Sequence, residues 1–406
     1  MSWTKVENEN GTMYYHLPEK KYNSEKLLIL DLDWTLIQPQ LGNVFPLSED
    51  DWSFRFPTKK INEYYAKGYK IVVFSNQMAT FEGKLNIDFE GFKRRWTNIS
   101  NGLNVPAYIL IASKDDFYRK PLIGMWEYVC SDLNGDVKVD KKQCIFVGDA
   151  AGRSKGDKNK ADFSDSDLKM ALNAGIDFQT PEQFFKGEKY DKAAVIARIN
   201  AKSFDSALYL QKLPEIKKKN QSNWDKLEKL FTGQIKNAPR VLMFCGSPSA
   251  GKSSLGRRVV DFATDSGNKW QLFSLDIIKT KEKMKQLMNK VLMDENGGGV
   301  IVDCTNGNVN PRTEWIQMAQ MFNSSIWCLR LITEKNLSFH LNNLRKARCG
   351  ADPNYGSKFI PNVAIHRYFK SYEEPQLEEG FDEILNFEVE PIFKTKKEEK
   401  EFLLRF

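Results

Sequence analysis

The chain alternates short, unbroken apolar runs with longer stretches in which apolar residues recur every three or four positions. Runs at 27–30, 69–74, 107–112 and 144–147 lack polar alternation, which predicts strands buried on both faces of a parallel sheet. The periodic stretches at about 58–67 and around Phe89, Phe92 and Trp96 predict the intervening helices. A second series repeats the scheme, with strand runs at 241–245, 271–275, 299–302 and 325–331. Its helical stretches are 255–262, 279–291, 312–322 and 339–350, and a last strand follows Phe381. Strand–helix alternation of this kind implies an α/β fold, here two doubly wound domains in tandem.

The same pattern sets the expected boundaries: an extension over 1–24, a first domain over 25–187, and a connector with one or two helices over 188–238. A second domain follows over 239–392, then a tail over 393–406 in which Lys394 to Lys400 are expected to be loosely ordered. A chain of 406 residues is long enough to give each domain its own core. The proline- and glycine-punctuated stretch 38–57 reads as an excursion over the end of the first strand, with a small hairpin near Trp52-Ser53-Phe54. Lys217, Lys218 and Lys219 read as a solvated linker run, ahead of a phosphate contact or a weak nuclear address.

Composition narrows the function classes. Apolar residues at 41% and charged residues at 28% are ordinary for a soluble globular chain, and a net charge of +7 permits a polyanionic partner without requiring one. The 6 cysteines are scattered, with no Cys-x-x-Cys pair, which speaks against a disulfide framework or zinc site and for a reducing compartment. With 3 histidines, His16, His340 and His366, histidine-based metal clusters and triads are not expected. No apolar run approaches the roughly 20 residues needed to span a bilayer, and the N-terminus lacks a secretory apolar core. The expectation is an intracellular protein with no membrane partner.

The candidate chemistry lies where strand runs end. Asp31 and Asp33, at i and i+2 in Leu-Ile-Leu-Asp-Leu-Asp-Trp-Thr (28–35), project to the same side of an extended backbone. Carboxylates so close repel unless a cation or proton intervenes, so the pair suits a Mg²⁺ site in which one attacks phosphorus and the other moves protons. Ser75 ends the second run, Lys120 precedes Pro121 at the same sheet edge, and Asp149 follows the run at 144–147. A hydroxyl there can donate to a phosphate oxygen, and a lysine can neutralise both a nucleophilic carboxylate and the incoming phosphate.

In the second half, the strand 241–245 leads into Gly246-Ser247-Pro248-Ser249-Ala250-Gly251-Lys252-Ser253-Ser254 and then a helical pattern. This is Gly-x4-Gly-Lys-Ser in its strand–loop–helix setting, the signature of a nucleotide-phosphate loop, with ATP as the ligand. Lys252 is placed to reach the outer phosphates and Ser253 to hold Mg²⁺. Asp303, at the end of the run 299–302, reads as a second magnesium acid, and Asp276 as an acceptor for the proton of an attacking hydroxyl. Arg345 and Arg348 close a helix as an arginine cluster of the kind that clamps a transferring phosphoryl group.

The ordered set Asp31/Asp33, Ser75, Lys120 and Asp149 resembles the four motifs of the haloacid dehalogenase superfamily of aspartate-nucleophile phosphatases. Closer still, Phe74 to Met78, Tyr118 to Pro121 with Gly124-Met125-Trp126, Phe146 to Arg153, Asp162-Phe163-Ser164 and Thr180 to Phe185 resemble the 3′-phosphatase domain of the eukaryotic polynucleotide kinase-phosphatases. The phosphate loop, Asp303 to Asn306, Pro311-Arg312, Asn342-Asn343 and the stretch from Tyr368 to Phe381 resemble, more loosely, the 5′-kinase domain of the same family. Trp34 departs from the superfamily, which usually has a small residue there. It is expected to narrow the site mouth or to stack on substrate.

The resemblance covers about residues 25–390 and implies a haloacid dehalogenase-like phosphatase followed by a P-loop kinase, the order of the animal and plant enzymes. With so few residues ahead of the first strand, the vertebrate phosphopeptide-binding module is not expected. The implied enzyme removes a 3′-phosphate through a phosphoaspartate on Asp31, with Mg²⁺ held by Asp31, Asp149 and the Asp33 carbonyl. It phosphorylates a 5′-hydroxyl from ATP, and the implied substrates are DNA ends in strand-break repair, with RNA ends left open. A nuclear location is expected from the resemblance alone, and repair-complex partners are not identifiable. The rivals are a small-molecule phosphatase joined to a nucleoside or sugar kinase, and a non-catalytic end-binding scaffold, against which the intact Asp31, Asp33, Lys120, Asp149 and Lys252 count.

Overall fold

The computed structural model describes residues 2–155, 161–294, 298–352 and 359–406. Backbone contacts divide the chain into two compact units, one of Met1–Ser203, Asn343–Lys358 and Leu403–Phe406, the other of Phe204–Asn342 and Phe359–Phe402.

The strands of the first unit are β1 (Trp3–Asn8), β2 (Gly11–His16), β3 (Leu27–Asp31), β4 (Ile37–Gln38), β5 (Ser53–Phe54), β6 (Lys70–Asn76), β7 (Ala107–Ala112), β8 (Ile145–Val147) and β9 (Asp177–Gln179). Seven of them form one sheet in the order β1-β2-β7-β6-β3-β8-β9, parallel from β7 to β9. β3 is wholly buried, and its side chains alternate: Leu27 and Ile29 enter one apolar cluster, Leu28 and Leu30 the other. A strand covered on both faces reads as unbroken apolar sequence, which is why this one was legible. From β3 the chain winds one way through β6 and β7, then crosses to the other side at β8. The carboxyl end of β3 therefore lies at a switch point of the sheet, where α/β folds bind ligands.

The structure adds detail to three of the expected stretches. Residues 1–24 carry the β1–β2 hairpin, which extends the sheet antiparallel against β7. Its outer strand is mostly exposed and polar, so no apolar run announced it. Gly11 shapes the hairpin turn at φ +117°, and a Cβ there would stand 2.2 Å from the Asp116 carboxyl. Residues 188–238 form two helices that belong to different units, Lys192–Lys202 and Ser206–Phe231. The tail contains a helix, Lys396–Phe402, fixed by buried Phe402, whose carbonyl bonds His340 Nε2 at 2.8 Å and whose ring packs on Phe204. The excursion over 38–57 does hold a two-stranded hairpin, β4–β5.

The second unit has β10 (Val241–Cys245), β11 (Trp270–Ser274), β12 (Gly299–Asp303), β13 (Ile326–Ile332) and β14 (Glu383–Glu388), all parallel in the order β11-β12-β10-β13-β14. The long helix Ser206–Phe231 covers edge strand β14. Buried Asn220 donates to the Glu388 carbonyl at 2.9 Å and accepts from its N–H at 2.9 Å, occupying groups an edge strand would leave open. Lys217, Lys218 and Lys219 point to solvent from this helix, in keeping with the solvated reading. Among the described residues, no helix is long and apolar enough to cross a membrane.

Candidate active sites

The first site grows from the end of β3. Leu36 and Ile37 N–H both return to the Leu32 carbonyl at 3.0 Å, folding residues 33–35 into a tight turn just past the strand. Register places Leu30 beside Val147 and Asp31 beside Phe74, so Asp31, Asp149 and Ser75 emerge at one sheet edge. Lys120 Nζ enters this edge nearly fully buried. It pairs with Asp31, lies 2.8 Å from Asp167 Oδ1 and donates to the Phe74 carbonyl at 3.1 Å. Its backbone is clamped by Asn76, which accepts from the Lys120 N–H at 3.0 Å and donates to its carbonyl at 3.1 Å.

Oxygens of Asp31, Asp149 and Asp167 lie within 4.8 Å of one another, close enough to share a cation. Burial drives the Asp31 pKa well up, opposed by Lys120 and reinforced by Asp167 and Asp149. Burial and then Asp167 push Asp149 up to about 7. Lys120 is held protonated by Asp167 and Asp31 against the burial that would lower it. Three carboxylates facing one ammonium leave an excess of negative charge that a divalent ion would balance. The Asp33 carboxylate stands outside this group. Gln77 Nε2 donates to Asp33 Oδ2 at 2.7 Å and to Ser75 Oγ at 2.8 Å, so one buried amide sets both residues.

Trp34 adopts φ 60°, a left-handed conformation that glycine takes without strain. Its indole N–H donates to the Val44 carbonyl at 2.8 Å, fastening the excursion to the turn after β3. Arg55 bonds the Trp34 carbonyl and reaches Glu182 at 2.5 Å; Glu182 also pairs with Arg153 at 2.9 Å.

The second site follows β10. The helix Lys252–Asp265 starts at Gly251, φ +89°, with Ser249 also left-handed at φ 65°. Ser253 Oγ donates to Asp303 Oδ2 at 2.6 Å, joining the two expected magnesium residues. Lys252 Nζ is turned onto the loop carbonyls of Gly246 at 3.0 Å and Ser247 at 2.7 Å. The segment after Asp303 braces the loop: Gly246 N–H reaches the Thr305 carbonyl at 3.0 Å, and Asn306 Nδ2 the Phe244 carbonyl at 2.7 Å.

Asp276 is exposed in the first turn of the short helix Leu275–Ile278. Its strand pairs Ser274 with Asp303, so it stands at the same sheet edge, but β11 is two strands from β10, about 10 Å away at ordinary strand spacing. Arg345 and Arg348 are half-buried on the helix Lys335–Ala351, in the stretch grouped with the first unit. From the same helix, Ser338 and Asn342 bond the phosphate loop.

The family model for polynucleotide kinase 3 phosphatase matches residues 26–185. A bifunctional polynucleotide phosphatase/kinase of Schizosaccharomyces pombe is 31% identical over 376 residues, 90% of this chain and 80% of the relative. The chain belongs to the bifunctional polynucleotide phosphatase/kinase family. A putative bifunctional polynucleotide phosphatase/kinase of Acanthamoeba polyphaga mimivirus is 29% identical, covering 80% of this chain and 76% of its own. A polynucleotide 3′-phosphatase of Saccharomyces cerevisiae is 30% identical over 210 residues, 39% of this chain and 86% of the relative. Membership does not favour the rival pairing of a small-molecule phosphatase with a nucleoside or sugar kinase.

In this phosphatase/kinase, sequence reasoning gave no role to Asp167, Asn76, Gln77 or Thr35. Thr35 Oγ1 accepts from the Asp149 N–H at 3.0 Å, tying the first motif to the last. The one sequence signal for Asp167 was the run of acids at 162–167, and there a helix-capping role is the ordinary reading.

Proposed function

We propose that the first unit dephosphorylates 3′ ends of nucleic acid and that the second phosphorylates 5′-hydroxyl ends from ATP, leaving the 3′-hydroxyl and 5′-phosphate that a ligase joins. One observation carries the reading: buried Lys120 sits between Asp31 and Asp167 with Asp149 alongside, in a chain that also holds a complete phosphate loop.

In the phosphatase step an Asp31 oxygen attacks phosphorus, and the bond to the 3′-oxygen breaks as Asp33 gives that oxygen a proton. Asp33 then takes a proton from water, whose oxygen attacks the phosphoaspartate, releasing inorganic phosphate and restoring Asp31. Lys120 and Ser75 hold the transferring group, and Gln77 aims Ser75 and Asp33. Asp31, Asp149 and Asp167 would hold a magnesium ion, and the Asp33 carbonyl would add a further oxygen. Such an ion supplies charge neutralisation between carboxylates and phosphate oxygens.

In the kinase step the N–H groups of residues 246–254 cradle the ATP phosphates, and Lys252 exchanges its loop carbonyls for phosphate oxygens. The 5′-oxygen attacks the γ-phosphorus, its proton passes to Asp276, and ADP leaves. Ser253 and Asp303 would hold the magnesium of the nucleotide, and Arg345 and Arg348 would meet the equatorial oxygens of the transferring group. DNA ends in strand-break repair are the proposed substrates, supported by family membership, and the nucleus is the proposed location.

The test supplies the full chain with an oligonucleotide bearing a 5′-hydroxyl and a 3′-phosphate, plus ATP and Mg²⁺, and follows both ends. Asp31→Asn is expected to abolish dephosphorylation and spare phosphorylation, and Lys252→Ala the reverse. Loss of both activities from either folded variant would refute two independent sites.

A further inference from the structure

Ser249, in the middle of the phosphate loop, is a non-glycine residue at φ 65°. Left-handed backbone is unfavourable for an L-residue with a side chain and persists only where its surroundings enforce it. Its hydroxyl donates to Asn342 Oδ1 at 3.1 Å, and both residues are buried, Asn342 completely. Asn342 Oδ1 also accepts from the Ile360 N–H at 3.3 Å, while Nδ2 donates to the Ile360 carbonyl at 2.7 Å and to Asn362 Oδ1 at 3.4 Å. Each polar group of the amide is used, so its orientation is fixed from several directions. One helical turn earlier, Ser338 Oγ meets Ser247 Oγ at 2.6 Å, a second tie between the same helix and the loop.

We propose that Asn342 is a positioning residue of the kinase site. Resting on the kinase reading of this unit, it holds Ser249 in the left-handed conformation that turns successive loop N–H groups towards the nucleotide phosphates. A mixed left- and right-handed backbone forms the concave nest that binds anions, so a loop that relaxes at Ser249 loses its phosphate grip before it loses its fold. Asn342 itself need not touch ATP.

Glycine separates this role from a merely structural one, because it adopts positive φ freely. Ser249→Ala keeps the strain and removes the tie; Ser249→Gly removes both. Nucleotide affinity of the full chain is read directly with a fluorescent ATP analogue, alongside KM for ATP and kcat, with the 3′-phosphatase rate as an internal control. Ser249→Ala and Asn342→Ala are expected to weaken ATP about tenfold, chiefly in KM. Ser249→Gly is expected to bind ATP more tightly than Ser249→Ala, and Asn342→Ala/Ser249→Gly to recover most of the loss. Should Asn342→Ala fail to fold, the Ser249 pair alone decides. Equal binding by Ser249→Ala and the parent, or equal weakness in Ser249→Ala and Ser249→Gly, would overturn the proposal. A parent protein that binds no ATP would refute the kinase reading and this inference with it.

Discussion

Asp167 Oδ1 lies 2.8 Å from Lys120 Nζ, and its other oxygen accepts the Ala150 N–H at 3.1 Å. One carboxylate thus fixes both the lysine that pairs with Asp31 and the loop that carries Asp149. The approach is tight enough that a Cβ on Gly148 would stand 2.4 Å from Asp167 Oδ2.

Asp167→Asn keeps the shape and removes the charge. Lys120 then loses one of its two anionic partners, and the three-carboxylate cluster falls to two. The 3′-phosphatase rate is expected to drop about 10- to 100-fold, the range for disturbing residues that orient a metal site. The 5′-kinase rate of the same preparation, measured on the same oligonucleotide, is expected to hold. A variant with full phosphatase activity would remove Asp167 from the site.

The Asp149 pKa, pushed up to about 7 by burial and then by Asp167, has a consequence for stability. A carboxyl whose folded pKa exceeds its unfolded value favours the folded state below the unfolded pKa and loses that contribution as pH rises through about 7. Metal-free protein is therefore expected to melt at lower temperature at pH 8 than at pH 6, relative to Asp149→Asn. Magnesium, which competes with that proton, is expected to raise the melting temperature more at pH 8 than at pH 6. Thermal unfolding with and without Mg²⁺ at both pH values reads this directly; equal Mg²⁺ shifts would contradict it.

What was legible in the sequence followed from burial. Strands covered on both faces announce themselves as apolar runs, so Asp31, Ser75, Lys120, Asp149 and the phosphate loop could be placed at their ends. Asn76 and Gln77 were quoted only within the run Phe74 to Met78, with no role of their own, because their partners, the Lys120 backbone and Asp33, are distant in sequence. Asp167 sits in the first turn of a helix, where an acid needs no partner to be explained. The β1–β2 hairpin stayed hidden because its outer strand is mostly exposed and polar, so no apolar run marks it.

That hairpin bears on the site through Gly11. Asp116, which would collide with a Cβ at Gly11, accepts from the Thr12 N–H at 2.7 Å and the Tyr118 N–H at 3.0 Å, two residues before Lys120. Gly11→Ala combines a strained φ with displacement of this carboxylate. The expected cost is about 2–4 kcal/mol in denaturant unfolding, with reduced phosphatase activity at temperatures where the chain stays folded. A variant within about 0.5 kcal/mol of the parent would show that the turn yields without moving Asp116.

Glu182 stands between Arg55 and Arg153, at 2.5 and 2.9 Å, and Arg55 also bonds the carbonyl of Trp34 in the turn after β3. Burial alone would raise its pKa, but Arg153 and Arg55 outweigh it and bring it from 4.5 to about 2. A depressed folded pKa gives stability that is present above the unfolded value and lost as pH falls through about 2. A shift of this size corresponds to about 3 kcal/mol at neutral pH. Glu182→Gln is therefore expected to be less stable than the parent by about that amount at pH 7, with the gap narrowing steadily between pH 4.5 and pH 2. Because the same residue steadies Arg55 under Trp34, the variant is expected to lose phosphatase rate while its kinase rate holds. A stability gap independent of pH would mean that Glu182 acts through packing and not through its charge.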